Sequence, residues 1–216
     1  MPEMSLARRF RLALQELGPT FIKFGQMLSL RPDLVPPDFV EELAELQDKG
    51  TPMPLSQVTE VLAGEWGDKA YGSFLKFEIA PIAVASLSQV HVAVLKNNEK
   101  VAVKIQKANI AETIALDLAL LKELAGYWER RSLNSWVYQP EVMVNEFSRT
   151  IKKELDFLYE AQNYERFRKN LGKLDAVKVP RVYRELTTCR VLVMEFIDGV
   201  KITDIVKPEY REMFDP

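Results

Sequence analysis

The sequence predicts an α+β fold, a small antiparallel sheet framed by helices with a helical extension ahead of it. Two observations carry this. Gln89 to Leu95 and Lys100 to Gln106 both alternate with the period of two expected of strands, and the polar Lys-Asn-Asn-Glu-Lys run from Lys96 to Lys100 supplies turn material between them. They form a β-hairpin. Apolar residues recur at helical spacing through most of the first 70 residues, and again over 109–131 and 141–171.

Composition excludes several classes of function. A chain of 216 residues with 47% apolar and 28% charged content has enough material for one buried domain or two small ones. A formal net charge of -2 gives no basic excess for a phosphate backbone, so nucleic acid is not an expected partner. One cysteine, Cys189, forbids an intrachain disulfide and suits a reducing compartment; with a single histidine, His91, a structural zinc site is not expected either. No apolar run reaches the roughly 18 to 20 residues of a spanning helix, which leaves a soluble or peripheral chain.

In chain order, Ser5 to Glu16 predicts a basic amphipathic helix, with Leu6, Phe10, Ala13, Leu14 and Leu17 on one face and Arg8, Arg9 and Arg11 around it. Such a helix docks on its own domain or meets an anionic membrane surface. Gly18-Pro19 breaks it, and a second helix over Thr20 to Leu30 puts Lys23 and Gln26 on one face and Phe21, Gly25 and Leu28 on another, where glycine admits a close backbone. Prolines 32, 36 and 37 end that segment. Asp38 is the expected N-cap of a third helix with Phe39, Leu43 and Leu46 as its buried stripe, and Ser56 to Glu65 is a fourth.

A strand ending near Ile79 leads into a small-residue loop, Ala80 to Ser88, and then the hairpin, whose second strand carries Lys104 in Val-Ala-Val-Lys. Strand, loop, strand and V-A-x-K is the order in which protein kinases build a phosphate-covering loop and a phosphate-pairing lysine. Lys104 is therefore the candidate cation of a nucleotide site. Helices are expected over Asn109 to Arg131 and, as one continuous element, over Glu141 to Leu171. In the latter Asp156, Glu160 and Asn163 form a stripe, and like charges four apart cost about 0.2 to 0.5 kcal/mol unless a cation faces them. Lys104 and Lys23 are both candidates for that cation. Val179 to Ile197 reads as two further strands separated by Thr187-Thr188-Cys189.

Five motifs in order carry a resemblance: Lys23-Phe-Gly-Gln26; Pro81 to His91, with its Ala83-Val84-Ala85-Ser86 core; Val103-Lys104-Ile-Gln106; Glu154-Leu-Asp156; and Met194-Glu195-Phe-Ile197-Asp-Gly199. Together they resemble the N-terminal half of the UbiB or ADCK-like (aarF-domain) atypical kinases. The resemblance implies a kinase-like N-lobe at 71–199 behind a helical extension at 1–70 that folds over the active site, with a C-lobe beginning at 200–216. It implies ATP, with Mg in the whole family member, as cofactor. Lys104 would contact the α- and β-phosphates and Glu160 would hold Lys104, with Glu154 as the alternative partner. Ala83, Val84, Ala85 and Ser86 would cover the phosphates, and Glu195 and Ile197 would flank the adenine hinge. Lys23, Gln26, Glu154 and Asp156 would form an inhibitory or specificity layer. A prenylquinone precursor or a lipid is the implied further ligand, in ubiquinone-type biosynthesis or lipid homeostasis, in a cytoplasmic protein peripheral to the inner membrane.

The family's metal-binding Asp-Pro-His-Pro-Gly-Asn and D-F-G type segments do not occur in this sequence, and His91 reads as a strand residue. No catalytic residue and no metal ligand is therefore expected in this chain. The readings from other classes are a noncatalytic half-kinase that binds nucleotide or a partner, and a membrane-surface helical module. Apolar surface that would meet a C-lobe is expected to drive self-association. We expect the 216-residue chain alone to show no turnover; Mg-ATP hydrolysis that disappears with Lys104→Ala is the result that would overturn this.

Overall fold

The computed structural model describes residues 4–46, 50–67, 71–131, 139–172, 174 and 176–200; the expected start of a C-lobe therefore lies almost wholly outside the described residues. Helices α1 (Leu6–Leu17), α2 (Pro19–Ser29), α3 (Pro37–Ala44) and α4 (Leu55–Trp66) precede strands β1 (Phe74–Phe77), β2 (Ala83–Val84), β3 (Ser88–Leu95) and β4 (Lys100–Gln106). Helices α5 (Ile110–Arg131), α6 (Pro140–Glu154) and α7 (Phe157–Leu171) follow, and β5 (Val191–Glu195) closes the sheet. All pairings are antiparallel, in the order β1-β3-β4-β5, and β2 extends the β1 edge by pairing Ala83 with Val90 and Val84 with Gln89. The fold is α+β.

Strand periodicity assigns the two faces of the sheet. Val101, Val103 and Ile105, with Val191 and Val193, pack against Val58, Val61 and Leu62 of α4. The alternate positions turn to the other face, where Leu192 meets Phe157 and Ala161 of α7. Lys104 pairs in register with Val90 on one side and Leu192 on the other, so the pleat aims it at α7.

A second core joins the N-terminal helices to the segment after the hairpin. Leu14, Phe21, Leu28, Leu43 and Leu46 pack with Ile114, Leu118 and Leu121 of α5, with Val144, Phe147 and Ile151 of α6, and with Leu87 from the small-residue loop. A Cβ at Gly25 would collide with Leu46 and Leu14, so the predicted close approach is a packing requirement. Polar ties hold the same contact: Thr20 donates to Asp117 at 2.5 Å and Arg31 pairs with Glu146 at 3.2 Å.

Several local expectations are corrected. Ser5 caps α1 by accepting from the Arg8 N–H, as a serine N-cap should, but the buried face is Ala7 and Leu14, and Leu6 and Leu17 point to solvent. Pro36, not Asp38, occupies the N-cap of α3; Asp38 sits in the first turn, where its charge still favours the helix N-terminus. Residues 179–186 are not a strand. Val182 makes only an isolated bridge to Met194, and Arg184–Leu186 is a 3-10 turn whose Leu186 carbonyl accepts from the Trp66 indole.

The largest correction is at Leu155-Asp156, where the expected single helix breaks in two. No glycine or proline causes it. The Leu155 carbonyl is taken by the Gln106 side chain at 2.7 Å, the Phe157 N–H donates to the Cys189 carbonyl at 3.0 Å, and the Asp156 side chain caps α7 by accepting from the Leu158 N–H at 2.9 Å. Tertiary partners replace the intrahelical bonds on both sides of the break. Asp156 is consequently not part of a continuous acidic stripe with Glu160.

His91 is fully buried and engaged in a polar chain. Gln89 accepts from the Met53 N–H at 2.7 Å and donates to His91 Nε2 at 2.7 Å, which leaves His91 Nδ1–H to donate to the Glu78 carbonyl at 2.9 Å. The network requires neutral imidazole, and burial pushes the His91 pKa below its ordinary 6.5. The unfolded chain then takes up a proton that the folded chain resists, so stability falls as the pH drops below 6.5. Urea midpoints measured across that range should decline with acidification. His91→Leu should flatten the decline while costing about 1 to 3 kcal/mol at neutral pH through the stranded Gln89 amide.

Candidate functional site

The second strand of the hairpin presents Lys104 beneath a roof formed by the small-residue loop. That loop folds back as a short hairpin of its own, closed by the Ala85 N–H donating to the Ser88 carbonyl at 2.8 Å, and Leu87 anchors it in the helical core. Under it lies a cavity of about 220 Å³ lined by Ala83, Val84, Ala85, Leu87, Ser88, Val90, Lys104, Glu154 and Phe157. Small side chains at 83 and 85 leave backbone close to the enclosed space. Ser86 is buried beside the turn and outside the lining.

Lys104 Nζ lies 2.6 Å from Glu160 Oε2 and 4.7 Å from the centre of the Phe157 ring. An ammonium has three donors, and the carboxylate takes one while the aromatic face holds the head from below. Glu160 can reach the strand because the break at Leu155 restarts the helix against the sheet. Glu154, one residue before the break, instead pairs with Lys23 of α2 at 2.7 Å. The two glutamates therefore serve two different lysines, and the alternatives left open by the sequence resolve as Lys104 with Glu160 and Lys23 with Glu154. Gln26 donates to the Leu46 carbonyl at 3.0 Å, so it fastens α2 to the end of α3 and does not enter the cavity.

Glu195 and Ile197 stand apart from the cavity lining. Glu195 pairs with Val101, three residues along β4 from Lys104, and its N–H already donates to the Arg181 carbonyl. Its carboxylate, 2.8 Å from Lys178, is held below the usual glutamate range by that hydrogen bond. The Phe196 N–H donates to the Lys100 carbonyl, and Ile197 is exposed. Leu87, Ser88, Val90 and Phe157 line the cavity without having been expected there. Val90 was legible as the residue opposite Lys104 in the hairpin; Phe157 was not, because its position depends on the helix break. Among the described residues no three acidic, histidine or cysteine side chains converge as a metal-ligand set.

A lysine on a sheet strand, held by a helical glutamate beneath a folded-back loop, is the arrangement of a kinase-like N-lobe. The chain belongs to the ABC1 atypical kinase-like family, whose domain model matches residues 45–213. It is 43% identical over 203 residues to the probable protein kinase UbiB of Pseudomonas putida strain W619, covering 94% of this chain and 38% of that protein. Against the UbiB of Cellvibrio japonicus the identity is 41% over 204 residues, with 94% and 37% covered. The chain thus spans less than two-fifths of the length of these curated relatives. Among solved structures, Mycobacterium tuberculosis Rv3197, determined in complex with erythromycin, is 31% identical with a TM-score of 0.67, covering 93% of this chain and 50% of that one.

The capping geometry separates two roles for Asp156. Asp156→Ala removes the acceptor for the first turn of α7 and should cost about 1 kcal/mol in chemical denaturation, whereas Asp156→Asn keeps the cap and should cost only a few tenths. Equal losses in the two variants would show that the charge, not the cap, is what matters.

Proposed function

We propose that this chain supplies the phosphate-gripping part of an ATP-using enzyme of the UbiB type, an atypical kinase or ATPase serving prenylquinone biosynthesis or lipid homeostasis at a membrane. The observation that carries this reading is the 2.6 Å pair between Lys104 and Glu160 at the edge of the loop-covered cavity. The pair fixes a cation where α- and β-phosphate oxygens would need it, and the loop's N–H groups and small side chains suit a polyanion. Glu154 on the wall would repel phosphate on its own; Lys23 at 2.7 Å offsets that charge. At about 220 Å³ the cavity is smaller than the roughly 300 to 1,000 Å³ typical of small-molecule sites, so it takes the phosphate end of a nucleotide, with the base reaching toward β5.

The magnesium ligands that phosphoryl transfer needs are assigned to the part of the relatives' length that this chain does not span. The α2 helix is tied by Lys23 to Glu154 on the cavity wall and by Gln26 to Leu46, and a helix anchored beside the cavity in this way favours a small acceptor over a protein. Membrane proximity has support in α1, which leaves Leu6, Leu17, Arg8 and Arg9 exposed together. No helix among the described residues is long and apolar enough to cross a membrane.

Nucleotide binding tests the reading directly. Titration of the chain with ADP and with ATP should raise its thermal midpoint, and Lys104→Ala should weaken both affinities by about tenfold or more, as expected for loss of a charged phosphate contact. Glu160→Gln should weaken them less, because the ammonium stays but is no longer held. Unchanged binding in Lys104→Ala would remove the proposal.

A further inference from the structure

The exposed flank of α5 carries a run of large apolar side chains. Ile110, Ile114, Leu118, Leu121 and Ala125 face the helical core, as the amphipathic pattern requires. On the exposed flank next to that face Leu116, Leu120, Leu124 and Tyr127 follow at intervals of four, four and three residues, with Trp128 beside them. These side chains are 74%, 48%, 54%, 51% and 59% exposed. Single exposed leucines are ordinary, but a continuous stripe along one helix is not.

We propose that this stripe is the interface of a symmetric dimer, in which α5 packs antiparallel against α5 of a second copy of this chain. Charge placement argues for that occupant. Glu112 and Arg130 are eighteen residues apart, which is five turns of helix at about 3.6 residues each, so they lie on one line beside the stripe, one near each end. A two-fold axis passing beside Leu121 sets Glu112 of each copy against Arg130 of the other. The same register drops each of Leu116, Leu120 and Leu124 between two apolar side chains of the partner helix, the arrangement of knobs entering gaps, and sets Tyr127 beside the Leu116 of the second copy. Antiparallel helices also oppose their dipoles favourably.

Area and net charge separate this occupant from others. Three leucines and two aromatics, each about half exposed or more, present on the order of 500 Å² of apolar surface, so two copies bury about 1,000 Å², at the lower edge of a specific interface. The dimer is accordingly weak and reversible. An anionic lipid surface would want a basic border, but the charges bordering the stripe are three acids, Glu112, Asp117 and Glu123, and two bases, Arg130 and Arg131. The border is not basic, and Glu112 and Arg130 complement each other across the two-fold axis.

The test is sedimentation velocity of the full chain over a wide concentration range. A monomer-dimer equilibrium is expected, weakened about tenfold or more by Leu120→Glu. Glu112→Arg and Arg130→Glu should each weaken self-association, and an equimolar mixture of these two variants should recover it, since both cross-pairs are then complementary. In a Cys189→Ser background, Leu120→Cys should cross-link to its own copy. Leu116→Cys should not, because the axis separates that residue from its mate by about 15 Å along the helices.

A chain that stays monomeric at every concentration overturns the proposal, as does a mixture of the charge variants that fails to recover association, or cross-linking through Leu116 and not Leu120. Two further outcomes also overturn it and name another occupant. Leu120-dependent flotation of a monomeric chain with phosphatidylglycerol vesicles would assign the stripe to lipid. A fall in the thermal midpoint of a monomeric chain on Leu120→Glu would assign it to a contact within the chain.

Discussion

Everything at the candidate site depends on the interruption of one helix at Leu155-Asp156. Continued without a break, Glu154 and Glu160 would be six residues apart and so point to well-separated sides of one cylinder. The Gln106 amide on the Leu155 carbonyl, the Cys189 carbonyl on the Phe157 N–H and the Asp156 cap instead end one helix and begin another on the sheet. This lets one glutamate close on the extension through Lys23 and the other on the strand lysine. It also places Phe157 under the Lys104 ammonium.

Why the break was not legible follows from its cause. The sequence from Glu141 to Leu171 has helical apolar spacing throughout and no glycine or proline inside it. The Asp156 cap is local, but the other groups that interrupt it, from Gln106 and Cys189, come from residues about 30 to 50 positions away, on β4 and in the turn before β5, and local propensity carries no record of them. The hairpin was fully legible because strand alternation and turn chemistry are local. So was α5, whose single long pattern has no competing partner in its interior. The segment around Val182 fails in the opposite way: its β-branched and aromatic residues suggest a strand, but only one bridge forms before the chain turns to give its Leu186 carbonyl to Trp66.

At the site itself, the motifs and the family resemblance nominated Lys104, Glu160, Lys23 and Glu154 and put Glu160 on Lys104 with Glu154 as the alternative, but spacing alone could not choose between the two. Pairing is a statement about rotation around a helix, and the rotation was set by the break. Gln26 shows the same limit, since its amide reaches the backbone of Leu46 and so positions the extension without touching the cavity. Glu195 and Ile197 were placed by analogy with a hinge; the sheet register sets Glu195 about 10 Å of strand away from the lysine, and Ile197 lies past the end of β5.

Leu87 is a small feature with a wide consequence. It belongs to the roof over the cavity, yet its side chain packs in one cluster with apolar residues of α1, α2, α3, α5 and α6. The roof and the helical extension therefore share one apolar nucleus and should open and close as a single cooperative unit, not as a lid hinged on a separate body. Whatever loosens the N-terminal helices would loosen the roof of the cavity with them. Information about the surroundings of the first forty residues would then reach the lysine through packing alone.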